Sequence, residues 1–298
     1  MFRHLLVPLD GSALAEIAVR AAASIAEKEH ARVTLLHVVE KGAPQEIHGQ
    51  RHLTGEHEAL AYLEEIKARL PAGISVEMHV HSQKIADVAH SLYEHAGEME
   101  ASLVVMCRHG RSGLRGMLFG SIAQQVVALG ETPVLLLSPE APEWQARRIL
   151  VPLDGEADHE TGVICADALA RAFGAQLELL VVVPTRSTLP GTHALASGFL
   201  PGTTRMLLEM SEQSAREYLA GVSAKLPPRK LPVLQTVLRG EPAKTIAEFA
   251  RSSQADIVCM GTHGTAGTQA FWAQSVTARV AARTRAALLL APSCGKKT

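Results

Sequence analysis

The sequence predicts two α/β domains in tandem, each built on a five-stranded parallel sheet, and three observations predict it. First, the chain repeats: HLLVPLDGS at 4–12 returns as ILVPLDGE at 149–156. Second, each copy is followed by a glycine-bearing segment, MCRHGRSGLRGMLFGS at 106–121 and MGTHGTAGTQAFWAQS at 260–275. Third, short apolar runs alternate with stretches of helical period, the signature of strands that pair in parallel through right-handed helical crossovers. A duplication on this scale makes each half a control for the other.

The elements follow in order. LLVPL at 5–9 is almost wholly apolar, as a strand covered on both faces must be. After Asp10-Gly11-Ser12, the residues Leu14, Ile17, Ala18, Ala21, Ala22 and Ile25 recur with the helix period. A strand is expected at 32–39, a polar loop KGAPQEIHGQRH beyond it, then a helix over 54–69, a strand over 74–80 and a helix over 83–97. SLVVM at 102–106 is the next strand, and the glycine segment follows it. A helix from about residue 120 and the strand PVLLL at 133–137 close the first half. The second half repeats the order, with strands near 148–153, 177–183, 232–238, 256–260 and 287–291. The segment PTRSTLPGTHALASGFLPGT, rich in Gly, Pro, Ser and Thr, is expected to be a mobile loop. Proline and charge in SPEAPEWQA mark the linker, so the domains are expected at 1–138 and 147–298, joined by 139–146.

Composition excludes several classes. The 298 residues, 47% hydrophobic and 20% charged, suffice for two cores of about 150 residues each. With 29 basic and 30 acidic side chains, the chain lacks the excess charge of nucleic-acid or membrane-surface binders. The cysteines, Cys107, Cys165, Cys259 and Cys294, form no CxxC pair and no disulfide scaffold. No apolar run approaches a membrane span or a signal-peptide core, so a cytoplasmic location is expected.

Motif chemistry points to an anion at the first glycine segment. Glycines let backbone N–H groups approach phosphate oxygens, and a helix N-terminus adds unpaired donors and a partial positive charge. Gly120-Ser121 opening a helix suits that task. Arg108, Arg111 and Arg115 lie in or beside the segment and offer guanidinium donors, whereas THGTAGTQAFW in the second half carries no fixed positive charge. Asp10 at the strand end is a hydrogen-bond acceptor, for a ligand's donor groups or else as the helix N-cap. Pro8, Val38, Val39 and Met106 are apolar strand residues for which core packing is the simplest role.

On VPLDGS, the strand ending in HVV and the loop around Gly110, present in order and in duplicate, the chain resembles the universal stress protein family. The resemblance spans nearly the whole sequence. It implies a five-stranded α/β domain of the adenine-nucleotide alpha hydrolase-like, Rossmann-like kind. Some members of that family hold ATP or a similar nucleotide, which here would be ATP, ADP or AMP with Mg alongside, at the carboxyl strand ends by an aspartate and a Gly-x-x-Gly, nine residues, Gly-Ser/Thr loop, and others bind none. On this basis Asp10, Gly110, Gly120 and Ser121 are expected to bind the nucleotide, with Pro8, Val38, Met106, Arg108 and Arg111 around them. In the first loop only the leading glycine is replaced, by Cys107; in the second, Gly261, Gly264 and Ser275 persist but Gln274 stands at the helix start. Glutamine there adds bulk where phosphate should meet the helix, and Glu156 and Asp158 add negative charge unless they serve the helix dipole. One working site, in the first half, is therefore expected, with the second degenerate.

Catalysis is not expected beyond weak ATP hydrolysis, since the chain has no Walker lysine, nucleophile elbow or carboxylate pair placed to activate water. A sensor or regulatory module in stress response with an unknown protein partner is the expectation; a slow ATP hydrolase and a nucleotide-independent interaction module are its alternatives. Relatives dimerise through their last strands, which implies pairing of PVLLLSP with ALLLAPS within one chain, and a homodimer of whole chains stays open. Of the 14 histidines, His79 and His81 share one strand face, but His90 and His95 do not form an i, i+4 pair, and no third ligand or HExxH motif stands out. No metal site is expected.

Overall fold

The computed structural model describes residues 1–42, 46–47, 50–51, 53–108, 121–140, 144–185, 201–262 and 275–292. Gly110, Arg111, Arg115, Gly120 and Gln274 lie outside the described residues, as do 186–200 of the glycine- and proline-rich loop. Two compact units divide the chain: Met1–Trp144 together with Ala287–Pro292, and Gln145–Thr262 together with residues 275–286.

In the first unit the elements are β1 (His4–Pro8), α1 (Ala13–Glu29), β2 (Arg32–Glu40), a short hairpin of β3 (Glu46–Ile47) and β4 (Gln50–Arg51), α2 (Glu56–Ala68), β5 (Val76–Ile85), α3 (Val88–Glu98), β6 (Leu103–Cys107), α4 (Ser121–Leu129) and β7 (Val134–Leu137). The sheet order β7-β6-β1-β2-β5 is parallel throughout. Beside β7 lies β12 (Ala287–Pro292), antiparallel, with Leu288, Leu289 and Leu290 opposite Leu136, Leu135 and Val134. PVLLLSP and ALLLAPS therefore pair, and the apolar edge that β7 would otherwise present is covered.

The second unit runs β8 (Arg148–Leu153), a 3-10 turn (Ala157–Glu160), α5 (Thr161–Phe173), β9 (Gln176–Val183), α6 (Pro201–Ala224), β10 (Leu234–Arg239), α7 (Pro242–Ser252), β11 (Ile257–Thr262) and α8 (Val276–Ala281). Its strands follow the order β10-β9-β8-β11, again parallel.

Strand sequences explain their burial. Leu5, Leu6 and Val7 of β1, Leu35 and Leu36 of β2 and Leu103 of β6 are fully buried, because helices cover both sheet faces and leave no polar side. Edge strand β5 differs, with half-buried or exposed side chains along its length. Its alternating polar residues do not end it at residue 80 as expected: it continues to Ile85, paired with Glu40 beyond a register shift after Val38. Helix α3 consequently starts at Val88, where Asp87 accepts from the His90 N–H at 3.0 Å. Helical period alone extends α3 backward to residue 83; the Asp87 cap marks the actual boundary.

Candidate functional site

In the first unit the chain passes from β1 to β2 on one side and returns to β6 on the other. The connection after β1 runs to β2 and that after β6 runs the opposite way to β7, so the carboxyl ends of β1 and β6 flank a crevice, the usual ligand position in open α/β sheets. Asp10 and Cys107-Arg108 stand at its two lips.

Asp10 is half-buried. Its Oδ1 accepts from the Ser12 N–H at 2.9 Å, closing an Asx turn. The helix cap is Ser12, whose Oγ accepts from the Ala15 N–H at 3.2 Å. Asp10 is thus not the N-cap, and among the described residues its Oδ2 accepts no hydrogen bond. Gly11 between them takes φ +91°, and a Cβ there would stand 2.8 Å from Leu53 Cγ. Leu53 is 3% exposed and its N–H reaches the Asp10 carbonyl at 3.3 Å, so the chain beyond the β3–β4 hairpin packs on this turn.

His37, not singled out from the sequence, holds the strand end. Its Nδ1 lies 2.8 Å from the Leu9 carbonyl, which as an acceptor fixes the proton on that nitrogen. The available signal was a histidine inside the apolar run RVTLLHVV. Val38 and Val39 beside it are buried, as is Met106 at the end of β6, while Pro8 is half-buried.

On the opposite lip, burial pushes the Cys107 thiol up to about 12, with Asp10 adding to the shift and Arg108 opposing it. It remains a thiol at neutral pH, unlike a redox-active cysteine. Arg108 is only 6% exposed. Burial lowers its pKa, opposed by Glu140, in the turn after β7, and by Cys107. Ser121 begins α4 as expected.

Glu16, on the first helix, ties α2 to the same corner: it accepts from Tyr62 Oη at 3.3 Å and from Arg69 at 2.8 Å. Burial, Glu16 and Asp10 together raise the Tyr62 pKa. The second unit repeats this tie, with Lys225 on Glu160 at 3.3 Å and the Tyr218 pKa raised by burial and by Glu160.

The corresponding crevice of the second unit is built differently. Asp154 again makes the Asx turn, accepting from the Glu156 N–H at 3.0 Å, but its Oδ2 is bound by His159 Nδ1 at 2.6 Å. Glu156 makes no side-chain cap, so the 3-10 turn intervenes before α5. That turn lies on the end of β11: a Cβ at Gly261 would stand 2.7 Å from the His159 carbonyl oxygen. A Cβ at Gly162 would be 3.1 Å from the Gly261 nitrogen. At the repeat-equivalent positions the first unit has Cys107 and Ala18, and both are accommodated.

This architecture agrees with known proteins. The universal stress protein family model matches residues 1–138 and again 145–292, and the chain belongs to that family as a tandem of two such domains. Universal stress protein Rv2623 of Mycobacterium tuberculosis is 28% identical over 308 residues, covering 96% of this chain and 95% of that protein. Universal stress protein YxiE of Bacillus subtilis is 29% identical over 152 residues, covering 46% of this chain and 99% of its own. A solved protein of unknown function, PA1789 of Pseudomonas aeruginosa, shares the fold with a TM-score of 0.69 at 17% identity, over 98% of this chain and 93% of its own. Among the described residues, no helix is long and apolar enough to cross a membrane.

Proposed function

We propose that the first domain binds one adenine nucleotide, ATP foremost, with Mg, and that the second domain is a degenerate copy that binds none, making the chain a nucleotide-responsive module in stress response. The observation that carries this is the difference between two aspartates. Asp10 keeps one carboxylate oxygen without a hydrogen bond among the described residues, at the crevice where an α/β sheet takes its ligand. Asp154 has the same backbone turn but a histidine on that oxygen.

The resemblance supplies the remainder: Pro8, Val38 and Met106 flank the base and sugar, and Gly110, Arg111, Gly120 and Ser121 take the phosphates. Arg108, buried near Glu140, contributes to the site's wall. Degeneracy in the second domain rests on the 3-10 turn against Gly261 as well as on Gln274 and the acidic residues.

Isothermal titration of nucleotide-stripped protein with Mg-ATP, beside a Gly120→Gln variant that copies the second loop's residue into the first, tests the proposal. Binding that disappears in the variant supports it. Binding that survives unchanged moves the site away from this loop, and no binding by the wild type makes the chain a nucleotide-independent interaction module.

A further inference from the structure

Three histidines that the sequence leaves unconnected meet in the first unit. His79 and His81 lie on one face of edge strand β5, and His95 comes from α3. His95 Nε2 is 3.2 Å from His79 Nε2 and 3.3 Å from His81 Nδ1. The His95 ring is tilted 53° to His79 and stands edge-on, 84°, to His81, with both centroid distances 5.0 Å. His95 is 6% exposed, while the other two are half-buried.

Protons alone fit this arrangement badly. His95 Nδ1 lies 2.7 Å from the Ser91 carbonyl, so that nitrogen carries the hydrogen. In the neutral ring Nε2 is then bare and has one in-plane lone pair, yet two imidazole nitrogens approach it. At most one of those contacts is a well-directed hydrogen bond.

A cation resolves the conflict. Zinc–imidazole bonds of about 2.0–2.1 Å in tetrahedral geometry put ligand nitrogens about 3.3 Å apart, and the two measured contacts match that edge. All three nitrogens lie within 4.8 Å of one another, and bringing the third edge to the same length would require His79 and His81 to move by about 1.5 Å, the difference from the tetrahedral edge. The Ser91 carbonyl on His95 Nδ1 is the outer partner that orients a metal-bound imidazole and fixes its tautomer. We infer that His79, His81 and His95 form a site for a late first-row divalent cation, zinc foremost, which clips edge strand β5 to α3 and leaves a fourth position for water or an external donor. Imidazole donors select for this class over magnesium or calcium. The site shares no residue with those placed at the Asp10 crevice, and the inference does not rest on nucleotide binding.

The test titrates Zn2+ into the tag-free, chelator-treated chain against a chromophoric competitor, with the Co2+ electronic spectrum reporting geometry. One equivalent with a tetrahedral Co2+ band is expected. His79→Ala and His81→Ala should each weaken affinity by at least about tenfold, and His90→Ala, an exposed histidine on α3, should leave it unchanged. Hydrogen exchange on the unmodified chain is the second readout: saturating Zn2+ should slow exchange in β5 and α3. Binding that survives the His79→Ala/His81→Ala double variant, or unchanged exchange in β5 and α3 at saturating Zn2+, overturns the assignment.

Discussion

Replacing Gly261 by alanine probes the closed corner of the second unit. The added Cβ would meet the His159 carbonyl oxygen at 2.7 Å, its Cα at 2.8 Å and its carbonyl carbon at 3.1 Å. All three are backbone atoms, so no side-chain rotation relieves the contact. The 3-10 turn must move off β11, and overpacking of this kind costs about 1–3 kcal/mol. For a unit of this size that corresponds to a fall in Tm of about 2–12 °C. Because two units need not unfold together, hydrogen exchange under increasing urea should follow α5 and β8 separately from α1 and β1. The loss should appear in the second unit. Adding His159→Ala should not restore it, since the imidazole is not the clashing group. A Gly261→Ala variant within about 0.5 kcal/mol of the parent would refute the close approach and with it the physical basis for a filled crevice.

Two further outcomes concern the first unit. With its pKa pushed up to about 12 from 9.0, Cys107 should hold about a thousandfold less thiolate at pH 8 than an unperturbed thiol. Mass spectrometry after iodoacetamide should show it labelled slowly when folded and quickly in urea; labelling at equal rates would contradict its burial. His4 responds to acid. Burial lowers its pKa below 6.5, against the hydrogen bond to the Met99 carbonyl. The unfolded chain therefore takes up the proton first, so the stability tied to neutral His4 is complete above about pH 6.5 and falls below it. Urea midpoints for the first unit at pH 7.5 and 5.5 should show that fall, and a His4→Gln variant should show less of it.

Much of the fold was legible because it rests on local pattern. The repeat of VPLDG, the apolar strand runs and their alternation with helical period gave the strand–helix order and the tandem of two domains. The pairing of the two LLL strands came from the family resemblance, and covering an apolar edge is its physical gain. Local pattern failed at β5, where the helix expected from residue 83 gives way to a strand that runs to Ile85, paired with Glu40. At the crevice, the sequence marked Asp10 but not what distinguishes it from Asp154. Ser12 caps α1 directly, whereas a 3-10 turn stands between Glu156 and α5 and carries the His159 that binds the Asp154 carboxylate. The burial of Arg108 was not legible either, since an arginine beside a glycine segment reads as exposed. His95 likewise has no spacing relation to His79 and His81; only the packing of α3 on β5 joins them.

The central claim is a single nucleotide site carried by Asp10. Calorimetric stoichiometry of Mg-ATP on the parent chain, on Asp10→Ala and on Asp154→Ala tests it most directly. The account predicts one nucleotide per chain for the parent, the same for Asp154→Ala, and binding weakened by at least about tenfold, the equivalent of one lost charge-assisted hydrogen bond, for Asp10→Ala. Two nucleotides per chain, or binding that depends on Asp154 and not on Asp10, would contradict it.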